Sequence, residues 1–154
     1  MADLSDLYNE QIIALSADIP PARRLDAPDG TAMAHSKLCG STITVDLRLD
    51  GDRVTDYGQS VRACLLGQAA ASIMAKNIVG SSMDELRDVA AQMRRMLKEN
   101  GPPPGGRWAQ LAVLEPVREV RMRHASTLLV FDAVERALDM ALEKRNATST
   151  AAPA

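Results

Sequence analysis

The clearest pattern in the chain is a strict alternation of apolar and polar residues over positions 42–49. A period of two is typical of a β-strand with one buried face. Asp50-Gly51 then predicts a hairpin turn, followed by a partner strand over 53–59. Residues 31–38 are interpreted as a third strand, so the pattern predicts a small antiparallel sheet. The apolar positions of the first strand are Ile43, Val45, Leu47 and Leu49.

Apolar residues at helical spacing predict a short N-terminal helix. They are Tyr8, Ile12 and Leu15, and either Asp3 or Ser5 is a candidate N-cap. The following stretch, DIPPARRLDAPDG, contains three prolines and a terminal Asp-Gly. Proline lacks the amide hydrogen that helices and strands require, so this stretch is predicted to be a connection.

The second half of the chain changes to helical periodicity. An alanine-rich helix is predicted to start near Cys64 and to end at Gly80. A capping box over 82–85 predicts the start of the next helix. After GPPPGG come a short WAQLAVL segment, Pro116, and a last helix that closely follows His124. The apolar stripes of these last two helices are Leu86, Val89, Met93 and Leu97, and Leu128, Phe131, Val134, Leu138 and Leu142.

These elements predict an α+β fold, with a three-stranded antiparallel sheet covered on one face by helices. The chain has 154 residues, of which 46% are hydrophobic and 25% charged, a composition that fits one globular domain. We expect that domain to span residues 1–145. Residues 146–154 offer little apolar surface to bury and are predicted to be a disordered tail.

Charge and composition narrow the classes of function. A net charge of −2, a pI near 5.7 and 3% aromatic residues disfavour nucleic acid as a partner. No apolar run reaches the length of a membrane span, and the acidic N-terminus does not resemble a signal peptide. We therefore expect a cytoplasmic protein that is not bound to membranes.

The chain contains two cysteines, Cys39 in a Cys-Gly pair and Cys64 at a predicted helix start. Taken alone, they are compatible with a disulfide, a metal site, a reactive pair or two buried thiols. A reducing compartment disfavours the disulfide. His124 lies, like both cysteines, at a junction between elements, and such junctions often carry sites. The sequence shows no carboxylate pair, Ser-His-Asp arrangement or phosphate loop that would indicate a conventional enzyme.

The order of these segments resembles the NifU/IscU/SufU-like family of iron–sulfur cluster assembly scaffolds, and most closely its SufU branch. The resemblance covers residue 5 to about residue 143. It rests on the opening LYNEQII, on Cys39-Gly40, on the hairpin LRLDGDRVTDYG and on ACLLGQAAASIM. The insertion NGPPPGGRWAQLAVLEPV has the position and length of the segment that marks SufU-like members, and RMRHAST resembles the family's Arg-x-x-Cys-Ala segment.

The resemblance implies a SufE/NifU-like fold and a site built from three cysteines and one aspartate. Here Ser41 stands where the family has aspartate, and His124 where it has the third cysteine. Cys39, Cys64 and His124 are therefore the candidate ligands of zinc, iron or an iron–sulfur cluster. Ser41 and His35 are candidates for a fourth position. Zinc accepts two cysteines and one histidine, and iron–sulfur clusters accept imidazole in place of thiolate.

Cys64 is the first candidate for a reactive, sulfur-accepting thiol. A helix N-terminus presents unpaired amides and the positive end of the helix dipole, and both favour thiolate. Arg62 adds a positive charge nearby.

Three classes of function follow. The first is a scaffold or carrier that receives sulfur from a cysteine desulfurase and delivers clusters to acceptor proteins. The second is a degenerate homologue that keeps the fold and partner surface as a regulatory or structural subunit. The third is a zinc-dependent sulfurtransferase, which the loss of the third cysteine disfavours.

Overall fold

The fold is known from a computed structural model that describes residues 9–151. Its sheet has three antiparallel strands in the order β1 (Gly30–His35), β2 (Thr42–Asp50) and β3 (Arg53–Arg62). The predicted hairpin joins β2 to β3, with Asp50 paired to Arg53. The prediction of an α+β fold with this sheet is confirmed.

Four α-helices and two 3-10 segments, Gly106–Glu119 and Arg121–Arg123, accompany the sheet among the described residues. The helices are α1 (Glu10–Ala17), α2 (Leu65–Asn77), α3 (Met83–Lys98) and α4 (His124–Ala151). Within this part of the chain no helix is both long enough and apolar enough to cross a bilayer.

One face of the sheet contributes to the core. Ile43, Val45 and Leu47 of β2 are fully buried and pack in one cluster with apolar residues of the helices. The opposite face carries Asp46, which is also fully buried. Arg24 forms an ion pair with its carboxylate at 2.6 Å, and the Leu25 amide donates to it at 3.0 Å. The proline-rich connection is therefore fastened to the sheet.

The segment after the prolines is a 3-10 helix over Gly106–Glu119, where we expected only a short element interrupted by Pro116. Its buried residues are Trp108, Leu111, Leu114 and Val117. They recur at every third position, and a 3-10 helix has three residues per turn. This spacing places all four side chains on the face that packs into the core.

Several element ends differ from the sequence prediction. The strand predicted over residues 31–38 is β1, which ends earlier, at His35, because residues 37–39 form a turn. Cys39 is therefore a turn residue. The N-cap of α1 is Asn9, and the candidate caps Asp3 and Ser5 lie outside the described residues. The helix α4 continues to Ala151, through much of the predicted tail.

The capping box of α3 is half formed. The Ser82 hydroxyl accepts the Glu85 amide at 3.1 Å, as the motif predicts. The Glu85 carboxylate does not return to the Ser82 amide but accepts a hydrogen bond from Trp108 Nε1 at 2.8 Å. The Glu85 carboxylate thus links the start of α3 to the 3-10 segment.

A glycine allows α4 to lie directly on the sheet. A Cβ atom at Gly30, the first residue of β1, would stand 2.0 Å from the carbonyl oxygen of Ala137 in α4. No side chain fits in that space. Ala137 is itself fully buried, so helix and strand meet through their backbones at this point.

Replacing Gly30 with alanine should therefore destabilise the protein by about 1–3 kcal/mol, because α4 must move away from β1. Urea unfolding measures the loss. The control is Gly105→Ala, since a Cβ there meets nothing within 4 Å and φ is negative. Equal stability of the two variants would contradict the close packing at Gly30.

Candidate functional site

Cys39 lies in a tight turn between β1 and β2. The turn is closed by two backbone hydrogen bonds, from the Gly40 amide to the Ser36 carbonyl at 2.8 Å and from the Ser36 amide to the Ser41 carbonyl at 2.9 Å. Gly40 has φ of +72°, a conformation that glycine adopts without strain. The turn leaves the Cys39 residue exposed and buries Ser36 and Ser41.

Cys64 lies at the N-cap of α2, as the sequence predicts, and is half-buried. Its thiol makes no capping hydrogen bond within the helix. It donates instead to the hydroxyl of Ser126 at 3.5 Å. Ser126 lies in the first turn of α4 and is buried, so this contact joins two helix starts.

Ser126 lies beside both cysteines. Its hydroxyl accepts a hydrogen bond from Cys64 at 3.5 Å, donates to the Arg123 carbonyl at 3.2 Å, and is one of the hydroxyls that lower the pKa of the Cys39 thiol. Neither cysteine is in a disulfide. The structure thus brings together two thiols that are 25 positions apart in the sequence.

A second glycine makes this meeting possible. A Cβ atom at Gly67, in the first turn of α2, would lie 3.1 Å from the carbonyl oxygen of Ser126 and 2.8 Å from the Cβ of Ala63. The starts of α2 and α4 are therefore packed backbone against backbone. This packing sets the position of Cys64 relative to Ser126.

The surroundings of Cys39 favour its thiolate. Partial burial raises the pKa of the Cys39 thiol. Hydrogen bonds with the Ser41, Ser36 and Ser126 hydroxyls and with the Ser41 backbone together lower it by a larger amount, so the pKa of Cys39 is below its ordinary value. Ser41 is the nearest of the three, with its Oγ 2.9 Å from the Cys39 Sγ. The Ser36 hydroxyl lies close by without forming a hydrogen bond of normal geometry. An exposed thiol with a lowered pKa has the properties of a reactive cysteine, which we had expected of Cys64.

His124 does not join this group. It is buried at the start of α4, and its Nε2 lies 3.1 Å from the Val117 carbonyl and 3.2 Å from the Arg118 carbonyl. Nε2 therefore carries the proton and donates to the end of the 3-10 segment. His35, the other histidine, ends β1 and is exposed.

The sequence analysis did not name Ser126, although the chain contains a signal for it. Counting along α4 from Ser126 at helical spacing gives Val130, Ala133, Ala137 and Ala141, all of them buried. Small residues mark the face on which a helix approaches its neighbours most closely. His124 belongs to a different stripe, with Leu128 and Phe131.

The site has too few protein ligands to hold a metal ion by itself. Among residues 9–151 no group of three or more histidine, cysteine, aspartate or glutamate side chains is positioned to hold a metal ion. Resident zinc normally has three or four such protein ligands. Two thiols and serine hydroxyls therefore do not fit a closed zinc site.

Comparison with known proteins identifies the family. The sequence model described as NifU-like N terminal domain matches residues 8–148. This chain belongs to that family. A solved structure of a nitrogen-fixing NifU-like protein (N-terminal) from Brucella abortus is 48% identical, covers 92% of this chain and 98% of its own, and superposes with a TM-score of 0.90.

Two more distant proteins are also similar to this chain. A putative iron–sulfur cluster assembly scaffold protein for the SUF system from Fervidobacterium islandicum is 20% identical over 88% of this chain and 99% of its own, with a TM-score of 0.79. The iron–sulfur cluster assembly scaffold protein IscU of Thermotoga maritima is 24% identical over 86% of this chain and 92% of its own. The family assignment made from the order of motifs is confirmed.

The hydroxyl contacts of Cys39 lead to a prediction about its titration. In a Cys64→Ser background Cys39 is the only thiol. Its alkylation rate should rise with pH around a midpoint below that of an unperturbed cysteine. Ser41→Ala should move this midpoint to higher pH and slow alkylation at pH 7, because a donor to the thiolate is lost.

The control is Ser60→Ala, which removes a half-buried hydroxyl that is not among those lowering the Cys39 pKa. Iodoacetamide kinetics followed by mass spectrometry give both profiles. An unchanged midpoint in Ser41→Ala would show that the contact with Ser41 does not stabilise the thiolate.

Proposed function

We propose that this protein is a scaffold or carrier in iron–sulfur cluster assembly, and that Cys39 and Cys64 hold the nascent cluster. The observation that supports this most directly is the meeting of the two thiols at Ser126. Iron–sulfur clusters are held by cysteine thiolates, and here Ser126 lies beside two cysteines, of which Cys39 is exposed and Cys64 is half-buried. The similar proteins from Thermotoga maritima and Fervidobacterium islandicum are named as an iron–sulfur cluster assembly scaffold protein and a putative one.

The cluster is cargo in this proposal. Cys39, being exposed, is the thiol at which iron and sulfur enter, and Cys64 is the inner ligand. The Ser126 hydroxyl accepts a hydrogen bond from Cys64. A serine hydroxyl is a weak ligand unless it is deprotonated, so the chain itself supplies two strong ligands. Such a site holds its cargo less firmly than one with three or four thiolates, as a carrier requires.

The sulfur source we propose is a cysteine desulfurase, with acceptor proteins receiving the finished cluster. The cysteine that accepts sulfur in this scheme is Cys39. Its exposure and lowered pKa both favour attack by a thiolate on a sulfur donor.

A second candidate function is a homologue that keeps the fold as a regulatory or structural subunit without binding metal. The observation that favours it is the missing third ligand. Two features oppose it: both thiols are retained, and they meet in space. The zinc-dependent sulfurtransferase is supported by neither the ligand count nor the position of His124.

Anaerobic reconstitution with iron, sulfide and a reductant tests the proposal. The wild-type protein should acquire a cluster with visible absorption and stoichiometric iron and sulfide. Cys39→Ser and Cys64→Ser should each abolish stoichiometric loading, because each removes half of the thiolate ligands.

A matched pair of variants tests the geometry. Ser126→Cys adds a thiol at the point where the other two meet, so it should slow loss of the cluster to a chelator. His124→Cys adds a thiol only two residues away but on a different helix stripe, and should not. If neither the wild type nor Ser126→Cys binds a cluster, the hypothesis of a regulatory or structural subunit replaces the scaffold hypothesis. If His124→Cys alone stabilises the cluster, the site has been assigned to the wrong position in α4.

A further inference from the structure

The 3-10 helix over Gly106–Glu119 is anchored in the core as far as its last turn. Three of its side chains are fully buried: Leu111, Leu114 and Val117. A second anchor follows directly, because the Arg118 guanidinium donates to the Gly101 carbonyl at 3.1 Å. The backbone at Val117 is therefore a fixed point to which the chain that follows can be held.

The short chain between this helix and α4 is closed into a ring by His124. The Val120 amide donates to the Val117 carbonyl at 2.9 Å, and the Arg123 amide donates to the Val120 carbonyl at 3.0 Å. The imidazole of His124, the first residue of α4, returns to the beginning of this chain. Its Nε2 lies 3.1 Å from the Val117 carbonyl oxygen and 3.2 Å from that of Arg118. A carbonyl oxygen has two lone pairs, so Val117 accepts from the amide and the imidazole at once.

The end of this ring orients Ser126. The Ser126 hydroxyl donates to the Arg123 carbonyl at 3.2 Å, and the Thr127 hydroxyl donates to the same carbonyl at 2.8 Å. Ser126 also accepts from Cys64 at 3.5 Å and is one of the hydroxyls that lower the pKa of Cys39. A continuous series of hydrogen bonds therefore leads from the buried end of the 3-10 helix to the cysteines.

We propose that His124 is a positioning residue of the thiol site: its imidazole fixes the first turn of α4 against the 3-10 helix and so holds the Ser126 hydroxyl beside the cysteines. The position of the thiols is a property of the apoprotein, and only the consequence for a bound cluster rests on the proposed function. In this role His124 acts without binding metal. The 3-10 helix acquires a function as well, since it supplies the carbonyls that hold the histidine.

Two substitutions separate the hydrogen bond from the volume of the side chain. Glutamine carries a donor nitrogen the same number of bonds from the backbone as Nε2 of histidine, so His124→Gln keeps the donor. His124→Leu fills much of the same space and removes the donor. The readout is the alkylation rate of each cysteine in the full-length apoprotein, followed by mass spectrometry with the other cysteine changed to serine.

His124→Leu should change the two cysteines in opposite directions. Cys64 should be alkylated about fivefold faster, which corresponds to the loss of one hydrogen bond of about 1 kcal/mol, because its acceptor moves away. Cys39 should be alkylated more slowly at pH 7, because its thiolate loses one of the hydroxyls that stabilise it. A protein that only unfolds more often also exposes Cys64, but its folded molecules keep Cys39 reactive.

His124→Gln should restore both rates to those of the wild type. The control is Ile12→Val, which removes a methylene group from a fully buried residue of α1 and should lower stability to urea while leaving both rates unchanged. Wild-type rates for both cysteines in His124→Leu would overturn the proposal. So would a failure of His124→Gln to restore them.

A spectroscopic measurement tests the hydrogen bond without changing His124. The chain has two histidines, so the His35→Gln protein contains His124 alone. In its ¹⁵N NMR spectrum the neutral imidazole should carry its proton on Nε2, and that proton should exchange slowly with solvent. A proton on Nδ1 would overturn the proposal whether or not His124→Leu folds.

Cluster loading separates this inference from the proposed function. After anaerobic reconstitution with iron, sulfide and a reductant, His124→Gln should retain a cluster as the wild type does, and His124→Leu should lose it faster to a chelator. If the wild type loads no cluster, the proposed function fails, while opposite changes in the two alkylation rates retain the positioning role. If His124→Gln loses the cluster but keeps wild-type alkylation rates, the imidazole itself binds iron and the positioning role is rejected.

Discussion

The architecture depends on how closely α4 approaches its neighbours. At Gly30 the helix backbone lies where a side chain of β1 would otherwise be, and at Gly67 a Cβ atom on α2 would lie 3.1 Å from the carbonyl oxygen of Ser126. Both contacts lie on the buried stripe of α4 that begins at Ser126 and includes Ala137. Widening either contact would change the distance between Ser126 and the thiols. The small residues of this interface therefore determine the geometry of the site.

The site is polar in an unusual way. Three serine hydroxyls surround Cys39, and one of them also accepts from Cys64. Hydroxyls stabilise a thiolate without binding metal as strongly as a further thiolate or a carboxylate would. The arrangement keeps Cys39 ionisable and exposed, and under the proposed function it offers a cluster only two strong protein ligands. A protein that must pass its cargo on benefits from both properties.

Much of the fold could be predicted from the sequence, because the alternation in β2 and the stripe of α3 repeat over enough residues to exclude other periods. The 3-10 segment was missed since its three-residue repeat, from Trp108 to Val117, was hidden by the proline within it. The site was harder to predict. Cys39 and Cys64 were chosen as candidates from their positions at junctions and stay candidates. His124 was chosen from its position at the start of α4, and the structure places its Nε2 against the Val117 and Arg118 carbonyls. Only the packing of α4 shows which residue of its first turn points towards the cysteines.

The central claim is that Cys39 and Cys64 together hold the cluster at Ser126. A crystal structure of the protein loaded anaerobically with iron and sulfide tests it most directly. The account predicts iron bonded to the sulfur atoms of both cysteines, with His124 still hydrogen-bonded to the 3-10 segment. Iron bound to His124, or to only one of the two cysteines, would contradict it.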